Sequence, residues 1–229
     1  MTERILILGG TREAAALAKE LVACHGTDAV ITSLAGRTKE PRPVAGRLRI
    51  GGFGGVEGLS AYLRAEHITR VIDATHPFAE QISANAIAAC AQVNVPLETR
   101  IRPPWQRQAG DHWLHVPTIT DAVAAIPQNA CVLLALGSQH ITPFANRSDV
   151  HFVIRMVDPP AALLPFAKHS VLIGRPSSDP IEEAQMLREN GITHIVCRNS
   201  GGAGAYAKIE AARSLALPVL MIARHGASY

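Results

Sequence analysis

Apolar positions in this chain gather into short continuous runs, separated by segments with a helical period. Ile5, Leu6, Ile7 and Leu8 follow Arg4 as four apolar β-formers, a run that suits a short parallel strand covered on both faces. Gly9-Gly10-Thr11 comes next. An Ala/Leu/Lys/Glu stretch of high helix propensity follows, with Leu17 and Leu21 one turn apart on the buried side. The alternation continues, and strands are expected over 29–34, 48–50, 70–73 and 97–101. Helices are expected over 56–66 and 78–91, with Pro77 as the first helical residue of the second. Further on, residues 131–136 (CVLLAL) read as a strand, 205–216 as the last helix and 218–222 (PVLMI) as the final strand.

The pattern restarts after a junction at 127–130. The strand at 131–136 meets Gly137-Ser138-Gln139 much as the first strand meets Gly9-Gly10-Thr11. Ile50-Gly51, followed by Leu63-Arg64-Ala65-Glu66-His67-Ile68-Thr69-Arg70, is echoed by Ile173-Gly174 and Leu187-Arg188-Glu189-Asn190-Gly191-Ile192-Thr193-His194 at nearly constant offset. Two related α/β halves are expected, 1–127 and 128–229, each a parallel sheet with helices on both faces. Overlaying them matches Thr75-His76-Pro77 with Asn199-Ser200-Gly201. Both loops then leave the carboxyl ends of equivalent strands, with a ligand cleft expected between the halves.

Composition narrows the function. The 229 residues suffice for one large α/β domain or two small ones. A charge of +3 without a Lys/Arg block or basic-aromatic interleaving argues against nucleic acid, yet suits a small polyanionic ligand. Cys24, Cys90, Cys131 and Cys197 are far apart and form no C-x-x-C pair, as in a reducing compartment. No apolar run is long enough to span a bilayer and no leader-like apolar segment opens the chain, so a soluble, cytoplasmic protein without a membrane partner is expected.

Candidate chemistry lies at the strand ends. Strand, glycine turn and helix form a cradle for a nucleotide pyrophosphate, because first-turn N–H groups lack intrahelical partners and the helix dipole favours an anion. The pattern is G-x-T-x-x-A (Gly9, Thr11, Ala14), in which the Thr11 hydroxyl is a possible phosphate donor; an ordinary βα turn reads the same way. After the second strand no acid stands where NAD-binding sheets place one. Ser33, Gly36, Arg37 and Thr38 offer a cation and hydroxyls to a 2′-phosphate, unless Arg37 is a solvated loop arginine. Four glycines surround Phe53 in Gly51–Gly55, where the ring either covers a ligand or plugs the core. His76 lies at the carboxyl end of a strand. His112 and His115 form H-x-x-H without a further ligand set, so no metal is expected. Asn199-Ser200-Gly201-Gly202 opens the last helix as a second anion-holding turn, with Tyr206 and Lys208 in its first turns, or else as a glycine turn with a solvated lysine.

Together the motifs ILGGTREA, AGRT, GGFGG, DATHPFA, RPPW, GSQ and NSGGAGAYAK, ending in AARSLALPVLMI, occur in an order that resembles the precorrin-6A reductase family of cobalamin biosynthesis. GRPSSD departs from the G-x-G-P-F expected there, which leaves the substrate-side role of Arg175 to Asp179 open. The resemblance implies two Rossmann-like halves and an NADPH-dependent reduction of one double bond in a polycarboxylate macrocycle, precorrin-6A, to give precorrin-6B. It implies that Gly9, Gly10, Thr11, Arg12 and Glu13 cradle the coenzyme phosphates. Ser33, Gly36, Arg37 and Thr38 would take the 2′-phosphate, with Gly52, Phe53 and Gly54 nearby. Thr75, His76, Pro77, Ser138, Gln139, Asn199, Ser200, Gly201, Gly202, Tyr206 and Lys208 would line the macrocycle. His76 and Tyr206 are the candidate proton donors, with solvent as the alternative source. Neighbouring corrin-pathway enzymes are further partner candidates. The alternatives are a cobalt-precorrin-6A reductase, a cofactor-free enzyme resembling uroporphyrinogen-III synthase, and a non-catalytic NADP-sensing module.

Overall fold

The computed structural model describes residues 3–38, 40, 41 and 43–224. The chain divides into two compact units, the first ending at Arg102 and the second starting at Pro103.

The first unit holds β1 (Ile5–Leu8), α1 (Arg12–His25), β2 (Val30–Leu34), β3 (Arg47–Ile50), α2 (Gly55–Ala65), β4 (Arg70–Asp73), α3 (Glu80–Val93) and β5 (Leu97–Thr99). Its five strands are parallel in the order β3-β2-β1-β4-β5. The apolar run of β1 reflects burial on two sides. Ile5 and Ile7 join a cluster with Ala14, Leu17 and Ala18 of α1, whereas Leu6 and Leu8 join one with Leu59 and Leu63 of α2 and Ala86, Ala89 and Cys90 of α3. Cys90 lies so deep in that layer that burial pushes its thiol up to about 11, which keeps it an inert apolar filler.

The second unit holds β6 (His112–Val116), α4 (Ile119–Ala125), β7 (Cys131–Ala135), β8 (His151–Met156), β9 (His169–Ile173), α5 (Pro180–Glu189), β10 (His194–Arg198), α6 (Ala207–Ser214) and β11 (Pro218–Ile222). The sheet order is β6-β11-β10-β7-β8-β9, all parallel. Read from β9 to β11 it repeats the first sheet, and β6 adds an outer strand. The sequence echo is thus a topological repeat, with α5 in the place of α2 and β10 in that of β4.

Several expectations change. The units part at Arg102–Pro103 and not near 127, because β6 pairs along its whole length with β11 and so belongs with the second sheet. The H-x-x-H residues His112 and His115 are therefore strand residues, both exposed. Pro77 does not open a helix. Phe78 N–H donates to His76 Nδ1 and Ala79 N–H to His76 O, which closes a turn, and α3 starts only at Glu80. The last helix is shorter than expected: a 3-10 turn occupies Ala203–Ala205, α6 ends at Ser214, and Ala216 takes φ 52°. After β7 the counterpart of α1 is reduced to two 3-10 segments, Ser138–His140 and Thr142–Asn146, where Pro143 lacks the N–H a longer helix would need. The last strand stays in the second sheet, beside β10. No helix among the described residues is long and apolar enough to cross a membrane.

Candidate functional site

In the first sheet the chain order reverses between β1 and β4, and such a switch point opens a crevice outside the carboxyl ends of the strands. Gly9 to Glu13 leave β1 here and Thr75 to Pro77 leave β4. Thr11 ties the two loops together. Its hydroxyl donates to Ala74 O at 2.9 Å and accepts from Ala14 N–H at 3.0 Å as the N-cap of α1. The hydroxyl proton is thus already committed, so an anion here meets backbone N–H groups of the first turn and not the threonine side chain. Glu13, in that same turn, pairs with Arg102 at 2.8 Å, which neutralises a carboxylate that would otherwise oppose a phosphate. Exposed Gly10 and Arg12 complete a donor set whose chemistry fits a pyrophosphate.

Across the switch point, Asp73 Oδ1 accepts both the N–H (3.0 Å) and the hydroxyl (2.7 Å) of Thr75. This buried carboxylate sets the start of the loop that presents His76. Because His76 Nδ1 accepts from Phe78 N–H at 3.3 Å, the neutral ring carries its proton on Nε2. His76 can therefore donate from Nε2.

Beside β1, Gly9 N–H donates to Ser33 O at 2.9 Å, fixing the glycine loop against the end of β2. Ser33 is buried, while Gly36 and Arg37 are exposed in the loop beyond it. One participant was missed in the sequence. Arg49 of β3 stands in register with Ser33 and donates to Ser33 Oγ (3.3 Å), Gly51 O (2.6 Å) and Gly52 O (2.9 Å). Its guanidinium lies over the Phe53 ring at 3.7 Å. Phe53 itself packs on the α2–α3 core and meets Tyr62 edge-on at 5.2 Å, so it plugs the core and supports the arginine. Gly58 of α2 makes this possible: a Cβ there would lie 1.7 Å from Phe53 O. The exposed-looking R-L-R-I pattern of β3 gave no reason to single out one arginine.

In the second unit the equivalent switch point lies between β7 and β10. Exposed Ser138 and Gln139 leave β7, and Asn199 to Gly202 leave β10. The second loop is largely occupied by the chain's own Pro103-Pro104-Trp105 segment. Asn199 is fully buried and binds both backbone groups of Trp105, accepting its N–H at 2.7 Å and donating to its carbonyl at 3.0 Å. Trp105 Nε1 donates to Gly202 O at 2.7 Å. Gly201 has φ 64°, and a Cβ on it would sit 2.1 Å from Pro103 O. Asn199 and Gly201 therefore hold a strap of protein, a correction to their expected place on the macrocycle. Its cue was present in R-P-P-W, two prolines and a tryptophan with no element to belong to.

Lys208 is also corrected. It is buried, with Nζ donating to Ala205 O at 2.8 Å and lying 4.8 Å from the centroid of the Trp105 ring. Burial lowers its pKa, and Cys197 and Glu183 partly offset that effect. Nearby, Arg155 Nη1 contacts both oxygens of buried Glu183 at 3.0 and 2.9 Å, and Ser177 N–H donates to the same carboxylate at 2.9 Å. GRPSSD thereby acquires a structural role: Asp179 caps α5 by accepting Ile181 N–H at 2.8 Å, with Pro180 at the first helical position. Tyr206 stays half-buried over Trp105, ring centroids 5.7 Å apart, and its hydroxyl accepts from Arg213 Nη2 at 2.9 Å. No group of three or more His, Cys, Asp or Glu among the described residues is arranged to hold a metal ion.

Two parallel sheets of repeated Rossmann-like order define a two-unit α/β protein of the doubly wound class. A family model described as precorrin-6x reductase CbiJ/CobK matches residues 4–229, and the chain belongs to that family. It is an oxidoreductase of cobalamin biosynthesis. A precorrin-6A reductase of Rhodobacter capsulatus is 52% identical over 222 residues, covering 96% of this chain and 88% of the relative. One of Mycobacterium tuberculosis is 42% identical, with the same coverage. A cobalt-precorrin-6A reductase of Priestia megaterium is 29% identical, covering 98% and 92%. The solved structure of a CobK precorrin-6A reductase superposes with a TM-score of 0.93 at 49% identity, covering 99% of this chain and 90% of that one.

Proposed function

We propose that this protein uses NADPH to reduce one double bond of metal-free precorrin-6A, giving precorrin-6B. The observation that carries the reading is the 52% identity, over nearly the whole chain, to a protein named precorrin-6A reductase. Cobalt-precorrin-6A reductases are less similar, at 29% and 26% over nearly the whole chain and 30% over 99 residues of it, which favours the metal-free substrate.

The first unit binds the coenzyme. Gly10, Arg12 and Glu13 offer backbone N–H groups to the pyrophosphate, while Gly9 fixes the loop to the end of β2 and Thr11 holds it shut. Ser33, Gly36, Arg37 and Thr38 surround the 2′-phosphate, and Gly52 to Gly54 flank it. The coenzyme supplies a hydride to one ring carbon, and a proton is added at its neighbour. On the macrocycle side Thr75 positions His76, and Pro77 stiffens the turn. Ser138, Gln139, Ser200, Gly202 and Tyr206 offer donors to carboxylates. Asn199, Gly201 and Lys208 act from beneath, by fixing the Trp105 strap. His76, with its proton on Nε2, and Tyr206 are the two proton-donor candidates. The protein's main task is to hold two large ligands in reacting orientation. Cytoplasmic location and contact with neighbouring corrin-pathway enzymes accompany this reading.

Anaerobic incubation with NADPH and either metal-free or cobalt-loaded precorrin-6A, followed by NADPH absorbance, tests the proposal. Oxidation with the metal-free substrate is expected. Preference for the cobalt form would reassign the substrate. A cofactor-free enzyme would bind no NADPH by calorimetry, and a sensing module would bind it without turnover.

A further inference from the structure

We infer that Arg49, rather than Arg37 of the more obvious AGRT motif, is the residue by which this protein selects a 2′-phosphorylated coenzyme; the inference rests on the coenzyme reading above. In a sheet of this order the adenosine ribose lies over the carboxyl end of β2, and Ser33 is the buried hydroxyl there. Arg49 is its direct cross-strand neighbour.

The guanidinium is set before any ligand arrives. Two carbonyls, one hydroxyl and the Phe53 ring fix its plane. A group held this way loses little rotamer entropy when it takes up an anion. Its three hydrogen bonds use three of the five N–H groups that an arginine has. Nε–H and one Nη2 hydrogen remain as donors for a phosphate. Ser33 Oγ accepts from Arg49, which turns its own proton toward a further acceptor. None of the ion pairs among the described residues engages Arg49, so its charge is not spent on a carboxylate. Arg37, by contrast, is exposed on the loop, where water and salt screen its attraction. The Gly9–Ser33 bond links this corner to the phosphate cradle, so 2′-phosphate and pyrophosphate would engage one rigid frame.

The test is calorimetric titration of adenosine 2′,5′-bisphosphate and of 5′-AMP into the wild-type chain, R49Q and R49K, with circular dichroism to verify folding. The wild type is expected to prefer the bisphosphate. R49Q should lower that preference ~10–100-fold, the worth of charged hydrogen bonds, and change 5′-AMP affinity less than about 3-fold. R49K should fall between the two, because it keeps the charge and loses the fork; it also carries the test if R49Q does not fold. The wild-type preference should decline below about pH 6, as the phosphate monoester takes up its second proton, and R49Q should show a much flatter profile. A preference unchanged in both variants, or equal losses for both ligands, would overturn the role of Arg49 while leaving the coenzyme reading standing. A wild-type chain that binds neither nucleotide would overturn both.

Discussion

Asn199 holds Trp105 by both halves of its backbone amide group, taking the N–H at 2.7 Å and giving to the carbonyl at 3.0 Å. A buried asparagine that substitutes for a strand partner lets Pro103-Pro104-Trp105 lie against the second sheet without being part of it. The glycine-rich loop after β10 has this shape because it receives that strap.

The pairing makes N199A costly. Two buried backbone groups would be left without partners, at about 1–3 kcal/mol each, so a loss of roughly 2–5 kcal/mol is expected in urea unfolding. N199D keeps the acceptor, removes the donor and buries a charge, and should be at least as damaging. Unchanged midpoints in both variants would show the strap to be held elsewhere.

Gly58 offers a test by reversal of sign. Replacing glycine by alanine inside a helix normally stabilises by about 0.5–1 kcal/mol. Here the added Cβ would collide with Phe53 O. G58A should instead destabilise, and by displacing Phe53 should weaken NADPH binding along with it. A higher melting temperature with intact NADPH affinity would mean that the loop relaxes freely.

Lys208 predicts a pH dependence. Burial depresses its folded-state pKa below the ordinary value of 10.5. Between those two values the unfolded chain binds more protons than the folded one, so stability rises with pH in that window. K208M removes the buried charge at similar volume. It should be neutral to ~2 kcal/mol stabilising at pH 7, and the alkaline rise should flatten. Melting curves from neutral to alkaline pH check both points, and a K208M profile as steep as the wild type would place the titration elsewhere.

Arg37 is expected to contribute modestly. As an exposed cation it should be worth no more than about 1 kcal/mol, so R37A should weaken NADPH roughly 2–5-fold and leave NADH unchanged. Comparing the two dissociation constants by fluorescence titration decides it. Equal weakening of both coenzymes would remove Arg37 from the 2′-phosphate site.

Local pattern determined much of this protein. The β1 run declared two-sided burial, the glycine turn declared the first βα unit, and the spacing between Ile50-Gly51 and Ile173-Gly174 declared a repeat that became a shared strand order. These features were legible because strand burial, helix propensity and turn chemistry act over a few residues. Tertiary structure decided which polar side chains were already engaged. Thr11 gives its proton to Ala74, Asn199 and Trp105 are 94 residues apart, and Arg49 meets Ser33 only through a strand register. It also assigned His112 to Val116 to the second sheet, since an edge strand is defined by the partner it pairs with. Hydrogen-bond partners distant in sequence leave no period in the chain, so which hydroxyl, amide or ammonium groups the fold itself engages emerged only when the strands came together.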